Sequence, residues 1–195
     1  IADAALDVEA VLSVFRRCHS LRNRPCGKEV SRAIAKLAGS PLPEEALDIV
    51  AWYATEDQDP QQEFSRITAS SDGTPYYRGD SFNAGLNSVR GAAAIVIGEL
   101  IFNDDDRLPH FLSTLGRMVQ DDSLAVRACV ASTLLGVLKH DRELAVNLFR
   151  RLCDTDADLL ESPSIERFLY YATRSHFDTV KTVIERMLNC TLPEI

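Results

Sequence analysis

No stretch of this chain approaches the ~18 consecutive apolar residues that a membrane-spanning helix requires, and its start lacks the basic residues, apolar core and small-residue cleavage site of a secretion signal. A phosphate-binding glycine loop is missing too. Cys26-Gly27-Lys28-Glu29 has neither the upstream Gly nor the following Ser or Thr that phosphate and magnesium need. Cys18, His19 and Cys26 offer zinc's preferred ligand types, but zinc uses close pairs separated by about two to four residues and four ligands in all, and no second pair exists. The acidic run Asp154-Thr155-Asp156-Ala157-Asp158 lacks the glycine and downstream Glu of a calcium loop. His110, His140 and His176 fall at expected helix ends, with no Ser or Cys whose spacing marks a nucleophile. No catalytic residue, no metal and no cofactor is assigned, and the chain reads as not an enzyme.

Five cysteines, an odd number scattered along 195 residues, fit a reducing compartment and with it a cytoplasmic protein. Hydrophobic residues at 46 % and charged residues at 26 % exclude wholesale disorder and collagen-like or mucin-like stalks. The chain begins at Ile1 without an initiating Met and ends at Ile195, so it reads as a fragment of a larger polypeptide.

The formal charge of −8 disfavours a general affinity for nucleic acid or an anionic membrane. Its distribution is uneven. From Arg16 to Lys36 there are seven basic residues (Arg16, Arg17, Arg22, Arg24, Lys28, Arg32, Lys36) and one acid, Glu29, whereas residues 44–63 hold seven acids and no base. The first run is a candidate nucleic-acid patch, and the second is a candidate for neutralising it within the fold.

Apolar residues recur at helical spacing through most of the chain. Residues 3–19 carry a stripe of Leu6, Ala10, Val11, Val14, Phe15 and Cys18, and a second stripe runs through Val30, Ala33, Ile34 and Leu37. Pro43 opens a third helix with Leu47, Val50, Ala51 and Ala54 inside and Trp52 and Tyr53 flanking, followed by a short helix at 61–68. Residues 69–87, with three glycines and a proline, read as one long irregular loop, and loops of that length are commonly functional or disordered. Tyr76, Tyr77 and Arg78 within it have the composition of a binding hot spot. The competing reading is that the tyrosines fold back to cap the core.

From residue 88 onward the pattern sharpens. Residues 91–98 are apolar or small all round, as in a helix enclosed by neighbours. A helix from Leu108 buries Phe111, Leu112, Leu115 and Met118 or Val119; the next follows Ser123, the one after follows Asp141, and helices at 164–173 and 177–189 follow an acidic loop at 154–162. Val89 and Val126 are 37 residues apart, and Ile165 is 39 further on. Such a period belongs to arrays of helix pairs, which bury their apolar faces by stacking. Asp121 precedes Val126-Arg127, and Val89-Arg90 repeats the Val-Arg step one unit earlier. An Arg at this place can reach a hinge Asp of its own or an adjacent unit, so Asp121, Arg127 and Arg90 are the candidate structural hinge.

The segment Leu108-Pro109 to Met118, then Asp121, Val126-Arg127 and Leu134, resembles a HEAT repeat, an antiparallel helix pair with an early Pro, a hinge Asp and a following Val-Arg. Ile165-Glu166 departs from that pattern, and residues 1–65 are helical without an assignable motif. The resemblance implies an all-α solenoid with an N-terminal helical segment at 1–68 and helix pairs at 88–195, acting as a scaffold that binds another protein or another domain of its own chain. HEAT-like arrays also occur as sensor or regulatory regions of large prokaryotic signalling NTPases, and the chain suits that setting. The alternative is a nucleic-acid-binding module using Arg16, Arg17, Arg22, Arg24 and Lys28.

Overall fold

The computed structural model describes residues 8–60, 80–154 and 157–191. Among these residues the fold is all-helical, with no strand and nine α-helices: α1 (Val8–Ser20), α2 (Gly27–Lys36), α3 (Glu44–Thr55), α4 (Ser81–Leu86), α5 (Val89–Asn103), α6 (Leu108–Met118), α7 (Leu124–His140), α8 (Arg142–Cys153) and α9 (Pro163–Thr191). No described helix is long and apolar enough to cross a membrane. The short helix expected at 61–68 and the loop residues Tyr76, Tyr77 and Arg78 lie outside the described residues.

Short polar side chains set the helix starts. Asp80, Ser88, Ser123 and Asp141 each accept a hydrogen bond from a backbone N–H in the first turn of α4, α5, α7 and α8, which satisfies donors that the helix itself leaves open. Pro109, in the first turn of α6, forgoes a donor that would be unused there. Basic side chains close several helix ends, where they meet the negative end of the helix dipole. Lys28 donates to Asn87 O at 2.9 Å, Arg32 to Leu86 O at 3.0 Å, Lys139 to Phe102 O at 2.6 Å and Arg186 to Cys153 O at 2.9 Å.

The core is centred on α5 and α7, which are apolar almost all round because other helices cover them. α2 and α3 pack on α5, while α4, α8 and α9 pack on α7. One row therefore runs α2, α5, α7, α9, and a second joins α1, α3 and α6. Two hydroxyls bind the first row across helices: Thr133 donates to Ala94 O and Ser164 to Ala128 O, both at 2.7 Å. Phe149 and Phe168 stack at 4.0 Å and join α8 to α9.

Several expectations from the sequence need correction. The segment 69–87 is not loop throughout, since Ser81–Leu86 is helical and packs on α7. Its Gly85 is there for proximity, because a Cβ would run into the Ala125 carbonyl and the Cys129 sulfur. Val14 is 57 % exposed: α1 packs on α2 and α3, and Leu12 and Phe15 fill that interface. Leu112 is 47 % exposed beside buried Phe111, Leu115, Met118 and Val119. Tyr53 does not flank the third helix's stripe but is fully buried, with burial pushing its hydroxyl pKa up to about 12. Within 154–162, residues Leu159 and Leu160 turn inward on a 3-10 turn, Ala157–Glu161. The two final helices expected at 164–173 and 177–189 are both present within α9, meeting at His176, whose backbone is non-helical (φ −133°, ψ 31°).

Thiol chemistry follows from the same packing. Cys129 and Cys153 are fully buried, and burial pushes both pKa values up to about 12, whereas Cys26 is exposed. Because the thiolate is the nucleophile, iodoacetamide at neutral pH should modify Cys26 in the native protein and reach Cys129 and Cys153 only after denaturation. Peptide mass mapping of the alkylated chain checks this, and native labelling of Cys129 would contradict the buried core.

Candidate functional site

Two of the hinge residues singled out by spacing, Arg90 and Asp121, meet directly. Arg90, in the first turn of α5, and Asp121, in the turn before α7, form a two-pronged ion pair at 2.9 and 3.1 Å, with each side chain only 10 % exposed. Arg90 Nη1 also donates to Asp57 O at 2.9 Å and Pro60 O at 3.0 Å. Asp121 Oδ1 further accepts the Ser123 N–H at 2.8 Å. One guanidinium thus ties together the chain after α3, the start of α5 and the turn before α7, which is the rigid, directional use for which Arg suits better than Lys. Arg127 is buried in the first turn of α7, its backbone N–H bonded to Ser123 O. An open cleft of ≈ 540 Å³ lies beside this cluster, bordered by Thr55, Gln58, Arg117 and Gln120.

The basic residues at 16–36 do not form one surface. Arg16 lies between Glu9 and Glu45, with the Glu45 oxygen 2.7 Å from its Nε, so the acidic start of α3 neutralises it. Arg24 stacks over Trp52, 3.6 Å from the ring centroid, and donates to His19 O at 3.1 Å. Lys28 and Arg32 turn the other way, to the end of α4. Arg17 and Arg22 are exposed. His19 sits edge-on to both Trp52 and Tyr53, and burial first, then the Arg24 charge, hold its imidazole below the ordinary histidine pKa.

A different surface is assembled from the α2, α5, α7, α9 row. Between α2 and α5 lies a cleft of ≈ 380 Å³ bordered by Arg32, Ala35, Lys36, Leu86, Ile95 and Glu99. Between α5, α7 and α9 lies one of ≈ 300 Å³ bordered by Ile95, Glu99, Phe102, Ser132, Leu135 and Arg167. Because Ile95 and Glu99 border both, the two clefts lie side by side along α5 and make one grooved surface. Its floor is possible because α5 and α7 touch backbone to backbone: a Cβ on Gly98 would stand 2.8 Å from Thr133 Cα, and one on Gly136 would enter the Gly98 carbonyl.

A large apolar side chain stands open along this groove: Phe102 is 51 % exposed with Lys139 Nζ 4.1 Å from its ring. Tyr171, one helical turn after Arg167 on α9, is 52 % exposed. Desolvation among the apolar neighbours raises the pKa of Glu99. The floor is apolar, the rim is cationic, and Glu99 is the one carboxylate among the described lining residues.

No family model, no curated protein and no solved structure matches this chain.

Sequence reasoning overlooked the groove residues for a definite reason. Ile95 lies in a helix that is apolar on every side, so its period gives no sign of which face is uncovered. Phe102, Leu135 and Arg167 come from three helices and converge only through tertiary packing. The available signal was composition: Arg167 and Tyr171, four residues apart, mark a polar and aromatic face on a helix whose inner face is Ile165, Phe168, Leu169 and Ala172.

Proposed function

We propose that this chain is a non-enzymatic interaction module, a HEAT-like stack of helix pairs in a larger regulatory protein, whose groove along α2, α5, α7 and α9 receives another protein or another domain of its own chain. The observation that carries this reading is the groove itself. It comprises two adjoining clefts, keeps Phe102 half-exposed on its border, and rests on two helices locked backbone to backbone. Exposed aromatic side chains beside cationic ones have the composition of binding hot spots, and isolated exposure of one apolar residue would carry far less weight. The stacking of α1 on α2, α3 on α5, α6 on α7 and α8 on α9 supports the helix-pair reading, as does the Arg90–Asp121 pair between successive units.

The test is site-specific photocrosslinking in the full-length parent protein in its native cells. A benzoylphenylalanine in place of Phe102 should give light-dependent protein adducts, while the same residue in place of Leu112, exposed on α6 away from the groove, should not. Absence of protein adducts at 102, or identical adducts at both positions, would overturn the assignment.

A further inference from the structure

We propose that the groove recognises an acidic segment of another protein that carries apolar anchors, laid across α2, α5, α7 and α9. This rests on the interaction-module reading above and specifies the chemistry of its partner. The main observation is a reversal of charge. The chain as a whole carries −8, yet Arg32, Lys36 and Arg167 border the groove, and Lys139 stands over its Phe102 edge, against the single carboxylate of Glu99. Lys36 and Arg167 are exposed and neither is held by a hydrogen bond or ion pair among the described residues, so their charge is available to a ligand. Between them the floor is Ala35, Ile95, Val96 and Leu135, which accepts aliphatic or aromatic side chains. Cations at the ends and an apolar floor between them favour a chain with carboxylates flanking hydrophobic residues.

Geometry limits the length of that segment. Four neighbouring helices about 8–10 Å apart span roughly 30 Å, which an extended chain rising about 3.3 Å per residue crosses in roughly nine residues. A nucleic-acid strand fits less well. Its phosphates would pass Glu99 at the middle of the groove, and the net negative charge of the rest of the protein would repel the strand beyond it. Glu99 also makes a prediction about register, because an acidic partner must place an uncharged residue opposite it.

Fluorescence anisotropy on the complete 195-residue chain tests the proposal, with a labelled peptide of about twelve residues in which Asp and Glu flank Leu and Phe. Binding should weaken about tenfold or more when Lys36→Glu and Arg167→Glu are combined, strengthen in Glu99→Gln, and be unchanged in Arg150→Glu, an exposed position on α8 outside the groove. A matched peptide with Lys for every acid should bind at least tenfold more weakly. No binding up to about 1 mM peptide would overturn the proposal, as would equal binding of the acidic and basic peptides or indifference to the double charge reversal. Preferential binding of a single-stranded oligonucleotide would overturn it in favour of nucleic acid. Self-association in sedimentation that is lost in the charge-reversal variant would overturn it in favour of a second copy of the chain. Crosslinks from position 102 to a protein without an acidic stretch would leave the interaction module standing and remove this proposal alone, and circular dichroism of each variant keeps loss of binding separate from loss of fold.

Discussion

Asp121→Ala should destabilise the fold by about 3–5 kcal/mol, because it leaves the Arg90 charge buried with no carboxylate facing it. Both side chains are only 10 % exposed, and the bond between them is two-pronged, so water entering from the adjoining cleft can replace the carboxylate's hydrogen bonds but not its charge. The Asp57 and Pro60 carbonyls that also receive Arg90 are dipoles, and they do not supply the lost charge. For a domain whose total stability is about 5–15 kcal/mol, the loss should shift urea unfolding, followed by circular dichroism, to a much lower midpoint. Arg117→Ala is the comparison. Arg117 meets Glu56 at 2.6 Å, but the two side chains are 56 % and 43 % exposed, and solvent-exposed pairs contribute about 0.2–1 kcal/mol. Replacing both partners, Arg90→Met with Asp121→Leu, should recover most of the loss. Equal costs for Asp121→Ala and Arg117→Ala would show that the junction is wet and that the pair does not hold the units together.

Gly136→Val should be comparably damaging for a different reason. Overpacking a filled core costs about 1–3 kcal/mol and occasionally more, and here the obstacle is the Gly98 carbonyl, a backbone group that no rotamer change can move aside. α5 and α7 would have to separate, and with them the Thr133 bond to Ala94 O and the groove floor. We therefore expect a loss of about 3 kcal/mol or more. Gly116→Ala gives the opposite sign. Nothing lies within 4 Å of the Cβ it would add, so the better helix propensity of Ala should stabilise α6 by up to about 1 kcal/mol. Thermal unfolding of the two variants side by side separates crowding from any generic intolerance to change at glycine, and equal behaviour would contradict the backbone contact.

The contrast between these glycines marks the boundary of what the sequence could reveal. A periodic stripe identifies a helix and its inward face wherever one side is wet, and for that reason α6 and α8 were legible from Phe111, Leu115, Leu148 and Phe149. The short polar residues before α7 and α8 were legible as starts because a cap is a local event. The same signal, Asp80, stood before α4, but Gly79 and Gly85 suggested a loop, when Gly85 in fact serves close contact with α7. Tyr53 looked peripheral beside Trp52 since an aromatic side chain with a polar tip can face either way, and only the arrival of α1, α2 and α5 decides which. Arg90 and Asp121 are suggestive as residue types in a repeating pattern, yet their 31-residue separation gives no distance. The groove was least legible, because it is defined by what remains uncovered after α2, α5, α7 and α9 have packed.

The contact at Gly98 and Gly136 has a further consequence for any guest of that groove. Two rods that meet main chain to main chain have no soft layer between them, so the middle of the receptor cannot widen or narrow to suit different visitors. Under the proposed function, selectivity would then come from the shape and charge of the visitor, and the disorder surrendered on association would be chiefly its own.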